Sequence, residues 1–361
     1  MAESTKLHIA MFPWLAFERL PKIPPNIATL ITLVKLPLPH VENLPENAEA
    51  TMDVPYHIVP YLKIAHGGLQ EPLSRFLETR LGISRAFFSV FNALSLCFFG
   101  PPKRARPQHT NRTQAFHCPV KELLKNTEVN ASGVSDLFRL MTVCLGTEVV
   151  AVKTCLEVKV EWLNLFGECL HIPAVPVGLL PPSPQEGNDI DNKDSTWDAI
   201  AEWLDKQEKG SVVYVALGSE IRPSHEDFNE LALGLEQSRL PFFWALRKFE
   251  ERTKGRGIVW TGWAPQFKIL GHESVGGFVT HCGWSSVIEA FQFGHVLIML
   301  PFIWDQGLVS RFLEERQAGV QILRKKEDGS FTRDSVTHTL RLAMKDEEGQ
   351  IHRDRNDDHI W

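Results

Sequence analysis

The sequence predicts an α/β fold of parallel sheets arranged in two lobes. Three observations carry this. The strand-like segments are short continuous apolar runs such as Val213-Tyr214-Val215-Ala216-Leu217, the pattern of strands covered on both faces. In the second half of the chain such runs alternate with segments of helical period. A polar stretch without apolar period, Pro181-Pro182-Ser183-Pro184-Gln185-Glu186-Gly187-Asn188-Asp189, divides the chain, as a linker does. The expected organisation is a first lobe over 1–180, a linker over 181–194 and a second lobe over 195–361.

In the first lobe, Leu7 to Phe12 reads as a buried strand. Leu30 to Leu36 reads as another, ended by Pro37-Leu38-Pro39. Residues 55–78 hold a helical period, with Leu62, Leu69, Leu73, Phe76 and Leu77 on one side. Residues 85–91 and Val149-Val150-Ala151-Val152 suit strands, and 173–180 is extended. In the second lobe, 195–206 reads as a helix with Ile200, Trp203 and Leu204 inward, and 211–217 as a β-branched strand ending at Gly218-Ser219. Residues 224–236 are helical, with Phe228, Leu231 and Leu235 on one face. Strands follow at 242–246, 257–260 and 277–280, then a helix over 286–293 and a strand over 296–300. The chain shows no internal repeat at solenoid periods.

The first lobe departs from a regular α/β pattern. Parallel neighbours need a crossover of about a dozen residues or more, usually helical. The segment joining the first two strands holds Pro13, Pro21, Pro24 and Pro25, which oppose a helix. The helix ending near Thr79 reaches the next strand through only residues 80–84. Both places read as missing βα units.

Composition excludes several classes. The 361 residues carry a net charge of −6 and 43% hydrophobic residues, so the chain is globular, and no nucleic-acid partner is expected. The basic cluster Lys103-Arg104-Ala105-Arg106 sits in a Pro-containing polar stretch and reads as solvated surface. The six cysteines contain no CxxC pair, which fits a reducing compartment rather than a disulfide framework or zinc ribbon. The N-terminus is polar and leads straight into a strand, unlike a signal peptide. The most apolar stretch, 86–99, is shorter than the ~20 residues a membrane span needs. The expectation is cytoplasmic, without membrane insertion, and the sequons at Asn111 and Asn130 then have no meaning. No metal site is expected.

Residues 263–306 carry the chemistry. Gly283-Trp284-Ser285-Ser286 follows a strand and opens a helix, and a helix start offers N–H donors and positive potential to a phosphate. Gly283 admits a ligand to the backbone, the serines add hydroxyls, and His281 can donate to a diphosphate oxygen. Each has a bland reading. Ser286 and Glu289 fit an S-x-x-E capping box, His281 a structural histidine, and Trp263 a core residue.

Together these residues resemble the signature box of plant UDP-dependent glycosyltransferases, glycosyltransferase family 1. The WAPQ start, the HCGW centre, Glu289 and the closing Asp305-Gln306 match in order. The resemblance extends into residues 213–219 and 307–319, covering the second lobe well and the first in pieces. The subgroup it is most similar to extends existing sugars on flavonoid or terpenoid glycosides. The resemblance implies a GT-B-like fold of two Rossmann-like lobes and transfer of a hexose from a UDP-sugar to a hydroxyl of a small plant metabolite or its glycoside, with inversion. The UDP-sugar is a co-substrate, and no metal or other cofactor is implied. Trp263 stacks on uracil, and the Ala264 backbone pairs with the base edge. Gln266 and Glu289 bind ribose, while His281, Gly283 and Ser286 hold the diphosphate, with Ser219 assisting. Trp284, Asp305 and Gln306 read the sugar. Ser285 stands where many members have Asn, which implies a weaker or altered donor contact.

Inverting transfer needs a general base, a His in the loop after the first strand in this family. Here that loop matches through Phe17, and Glu18 then stands where members continue with Gly-His. The partner Asp expected near residues 78–81 is absent too. The second lobe has a smaller gap near Lys248, and the chain ends without the family's closing helix. No catalytic base is therefore assigned. His8 reads as structural, Glu18 is a poor base at an ordinary carboxylate pKa, and His57 and His66 belong to the acceptor-side lobe. Asp53 reads as a loop or cap residue. The alternative to an active transferase is a UDP-sugar-binding remnant without catalysis. A dinucleotide-dependent oxidoreductase is disfavoured, since no GxGxxG follows any strand.

Overall fold

A computed structural model describes residues 7–11, 25–78, 85–99, 128–158, 160–182, 195–246, 257–262, 264–303, 305–325 and 327–352. In chain order the elements begin with β1 (Leu7–Met11), α1 (Pro25–Ala28), β2 (Ile31–Lys35), α2 (Val59–Gly67), α3 (Gln70–Glu78), β3 (Ala86–Ser89), α4 (Ala93–Phe99) and α5 (Asp136–Leu145). They continue with β4 (Val149–Val152), α6 (Val160–Leu170), β5 (Ala174–Pro176), α7 (Ser195–Leu204), β6 (Val212–Ala216), α8 (His225–Ser238), β7 (Phe242–Ala245) and β8 (Gly257–Trp260). The last are α9 (Gln266–Leu270), β9 (Val275–Thr280), α10 (Trp284–Gln292), β10 (Val296–Met299), α11 (Gln306–Glu315), β11 (Gly319–Gln321) and α12 (Arg333–Met344).

The chain forms two compact units. One comprises Met1–Arg85 with Lys125–Gly146, the other Ala86–Leu124 with Thr147–Trp361. The units therefore divide elsewhere than at the segment 181–194, of which 183–194 lie outside the described residues.

In the first unit, β1 and β2 pair in parallel, with Leu7 opposite Ile31 and Met11 opposite Lys35. The Pro-rich link is not wholly non-helical, because α1 opens on Pro25, where a missing N–H and a fixed φ cost little. The stretch 12–24, including the Phe17–Glu18 junction, lies outside the described residues, as do 79–84. The helical period over 55–78 resolves into α2 and α3 after two 3-10 turns. Gly68 interrupts it, its N–H bonding the Ile64 and Ala65 carbonyls. Asp53 caps its own turn, its Oδ2 accepting from the Glu49 N–H at 3.1 Å and the Ala50 N–H at 2.9 Å. Lys63 pairs with Asp136 at 2.7 Å, and Arg139 lies 3.0 Å from His66 Nδ1. These contacts tie α5 to α2. Burial first, and then the Arg139 guanidinium, bring His66 down to about 4.

The second unit holds, among the described residues, a three-stranded parallel sheet β3-β4-β5 and a six-stranded parallel sheet of order β11-β10-β9-β6-β7-β8. Strand β6 is buried along its whole length and divides its residues between two cores, as period two requires. Val212, Tyr214 and Ala216 join one cluster with Phe278, Leu297, Val287 and Val309. Val213, Val215 and Leu217 join the other with Val279, Ile298, Leu231, Leu235, Val336 and Leu340. Helices thus cover both faces, α7, α10 and α11 on one side and α8 and α12 on the other. Tyr214 stacks on Phe278 with centroids 5.2 Å apart, a contact of about 1 kcal/mol beyond area burial. This is the doubly wound architecture expected of the second lobe.

Candidate functional site

In the six-stranded sheet, β7 and β8 lie on one flank of the β6–β9 pair and β10 and β11 on the other. At such a reversal of strand order a crevice opens beyond the carboxyl ends of the strands. The residues there are Gly218-Ser219 after β6 and the turn from β9 into α10.

The β9–α10 turn is tight. Cys282 is buried at φ 69°, a left-handed conformation that a non-glycine residue adopts at a cost and that clusters at functional sites. The His281 ring sits between two glycines. A Cβ on Gly283 would lie 2.5 Å from His281 Nε2, and one on Gly218 would lie 2.8 Å from His281 Cε1. Gly218 also has φ 76°. The imidazole fits only because both positions lack a side chain. Its Nδ1 is buried with no hydrogen-bond partner among the described residues. Burial brings the ring down to about 4, the Ala216 backbone acting in the opposite sense, so it is neutral at pH 7.

Helix α10 has Gly283 as its cap residue, with no side-chain cap. The capping-box reading of Ser286 and Glu289 is therefore wrong. Ser286 lies inside the first turn, and Glu289 points instead to Gln266, whose Nε2 donates to Oε2 at 2.7 Å. The same amide reaches Ser286 Oγ at 3.4 Å. Burial raises the Glu289 carboxyl, while the Gln266 bond and the charge of Lys153 oppose this. Gln266 opens α9 behind Pro265, and Ala264 packs half-buried against the core. Trp263 lies outside the described residues.

Trp284 is buried, and its Nε1 donates to the Lys153 carbonyl at 2.7 Å. Ser285 is exposed, with Lys153 Nζ 3.4 Å from its Oγ. Asp305 is buried and accepts the Ser95 hydroxyl at 2.5 Å. Burial raises its carboxyl, and the Ser95 bond opposes that. Gln306 Oε1 accepts the N–H groups of Phe302 and Ile303, each at 2.9 Å. Ser219 is exposed beside Gly218.

The sequence-derived residues thus fall into three groups: Gly218, His281 and Gly283; Gln266, Ser286 and Glu289; and Asp305 with Gln306. Two residues the sequence did not single out join them, Lys153 and Ser95. Lys153 had a readable signal, as a charged residue ending a buried parallel strand. Ser95 lies inside an apolar run and had none.

The parallel sheets and the doubly wound second unit have the architecture of the GT-B glycosyltransferases. Among solved structures, that of Glycyrrhiza uralensis UGT73P12 complexed with glycyrrhetinic acid 3-O-monoglucuronide aligns with a TM-score of 0.70 at 20% identity, over 93% of this chain and 80% of that one. Os79 from O. sativa in complex with UDP aligns with a TM-score of 0.68 at 21% identity, over 98% and 88%. The model of the family "UDP-glucoronosyl and UDP-glucosyl transferase" matches residues 172–355. UDP-glycosyltransferase 91C1 of Arabidopsis thaliana is 40% identical over 417 residues, covering 95% of this chain and 90% of that protein. Soyasaponin III rhamnosyltransferase of Glycine max is 39% identical over 424 residues, covering 96% and 90%. The chain belongs to the UDP-glucoronosyl and UDP-glucosyl transferase family and is by descent a plant-type UDP-glycosyltransferase. Both alignments run over more positions than the 361 residues of this chain. The relatives therefore carry internal segments with no counterpart here.

Proposed function

We propose that the chain binds a UDP-hexose at the carboxyl ends of β6 and β9 and serves transfer of the hexose, with inversion, to a hydroxyl of a small plant metabolite or its glycoside. The observation that carries this is the uncapped start of α10 beside the Gln266–Glu289 pair. Phosphate oxygens suit the free N–H groups of a first turn, and a carboxylate and an amide suit ribose hydroxyls. Trp263 stacks on uracil and the Ala264 backbone meets the base edge. Gln266 and Glu289 hold ribose, and His281, Gly283, Ser286 and Ser219 hold the diphosphate. His281, neutral at pH 7, donates one N–H. Trp284 has its indole N–H bonded to Lys153, so its contribution comes from the backbone. Asp305 keeps one oxygen on Ser95 and offers the other to a sugar hydroxyl. Gln306 offers its amide N–H groups, and Ser285 a single hydroxyl. The donor is a co-substrate held by protein groups without a metal, in the cytoplasm. The described cysteines are all free, and no described helix is long and apolar enough to cross a membrane. The relatives named for a soyasaponin and for a mogroside support a terpenoid glycoside as acceptor, and a structural neighbour complexed with quercetin supports a flavonoid as the alternative.

A second reading, donor binding without turnover, is favoured by one observation: Glu18 follows Phe17 where the resemblance calls for Gly-His, in a chain shorter than its alignments. Incubation with UDP-glucose and a panel of flavonoid and triterpenoid glycosides, followed by mass spectrometry and UDP release, separates the two. Product with UDP supports transfer. Donor binding without either supports the second reading, and no UDP binding at all contradicts both.

A further inference from the structure

Lys153 follows β4, and two contacts hold it against α10. Its carbonyl accepts the Trp284 indole N–H at 2.7 Å, which fixes its backbone to the first residue of the helix. Its Nζ lies 3.4 Å from Ser285 Oγ in the first turn, and its charge acts on Glu289 one turn further on. Among the described residues the ammonium forms no ion pair within 4 Å, and its one hydrogen bond is the long contact to Ser285. The contact to Ser285 is solvent-exposed, so the ammonium, carried on an apolar stem, is available to an anion.

The diphosphate of a UDP-sugar carries two negative charges. A helix start supplies the equivalent of about half a positive charge, and His281, being neutral, supplies none. We propose that Lys153 is a donor-site cation that pairs with the diphosphate of the bound nucleotide, from the side of Ser285. The inference rests on the donor-site reading above and adds a residue to it. The burial that holds the Lys153 ammonium below the ordinary lysine range also strengthens its attraction to an anion. A one-hydroxyl Ser285 leaves room for the lysine to act beside it.

The test is isothermal titration of the full chain with uridine, UMP and UDP, for the wild type and for Lys153→Met, Lys153→Gln and Lys153→Arg. The expected result is UDP affinity reduced about tenfold or more in the Met and Gln variants, largely kept in Arg, with uridine affinity unchanged throughout. Unchanged UDP affinity in the Met and Gln variants overturns the role of Lys153 while leaving the donor site standing. So does an equal loss for uridine and UDP, which marks a structural role. A wild type that binds neither uridine nor UDP overturns the donor-site reading and this inference with it. Glutamine keeps a hydrogen bond to Ser285 available, so folding and charge are read separately.

Discussion

Asp305 and Ser95 stand 210 positions apart in sequence and share a buried hydrogen bond of 2.5 Å. Asp305 begins the α11 turn and Ser95 lies in α4, both within the second compact unit. The Ser95 hydroxyl holds one carboxylate oxygen and thereby fixes the direction of the other. A residue in an apolar helix so sets the geometry of one of the proposed sugar-reading groups.

Removing that hydroxyl strands a buried carboxylate. Ser95→Ala is expected to lower stability by about 1–3 kcal/mol, and Ser95→Thr to keep most of it. The loss has a pH signature. The hydrogen bond stabilises the ionised form, so the Ala variant raises the Asp305 carboxyl further. An acid raised in the fold loses stability as pH rises through its folded pKa. Urea unfolding at pH 5 and pH 8 should show a larger deficit at pH 8, and equal deficits would contradict this.

Glu289 gives the proposed donor site its own expected pH dependence. Its carboxyl is raised by burial, and only the ionised form accepts from both ribose hydroxyls. UDP affinity is expected to fall as pH is lowered through a midpoint above the usual carboxylate range. Glu289→Gln should bind about tenfold more weakly and lack that step. A wild-type profile flat down to pH 4 would remove Glu289 from the site.

The two glycines around His281 make a steric prediction. Gly283→Ala places a methyl 2.5 Å from Nε2, an overpacking of about 1–3 kcal/mol. Gly218→Ala adds roughly 1 kcal/mol for its left-handed backbone. In a His281→Ala background the Gly283→Ala loss should shrink, since the ring is gone. A double-mutant cycle with no coupling would show that the ring is not the obstacle.

His281 also loads the fold with acid sensitivity. A histidine at about 4 in the fold and near 6.5 when unfolded contributes stability that is fully present above 6.5 and is lost as pH falls toward 4. The amount is about 3 kcal/mol. His281→Asn should flatten that part of the stability–pH curve, measured by denaturant unfolding between pH 7 and pH 4.5. His66 adds a loss of the same sign.

Strands were legible because parallel strands read as apolar runs, and Val149–Val152 and Gly257–Trp260 have the bounds their sequence gives. Helix α8 was legible from its apolar face of Phe228, Leu231 and Leu235, and Ser224 caps it, accepting from the Asp227 N–H. Other helices were harder to read. Helix α4 is a short run whose Ser95 alone among strongly polar residues breaks its apolar character, and α11 buries its first five residues, Gln306 to Ser310, so that its polar face appears only at its end, in Arg311, Glu314 and Glu315. Helix α5 has a Ser135 cap, yet Phe138 and Leu145 stand exposed. The residues of the donor box were readable because they lie close in sequence. The link of Lys153 and Ser95 to the box was not, because they reach it from a different sheet and helix through contacts that only the fold creates, although Lys153 stood out as a charge ending a buried strand.

Hydrogen exchange of the full chain with and without UDP addresses the central claim, a nucleotide-sugar site at the carboxyl ends of β6 and β9. The account predicts slower exchange in the first turn of α10, in α9 and at Gly218-Ser219, with little change in α2, α3 and α5. Protection absent from residues 281–289 at saturating UDP, or confined to the first unit, would contradict it.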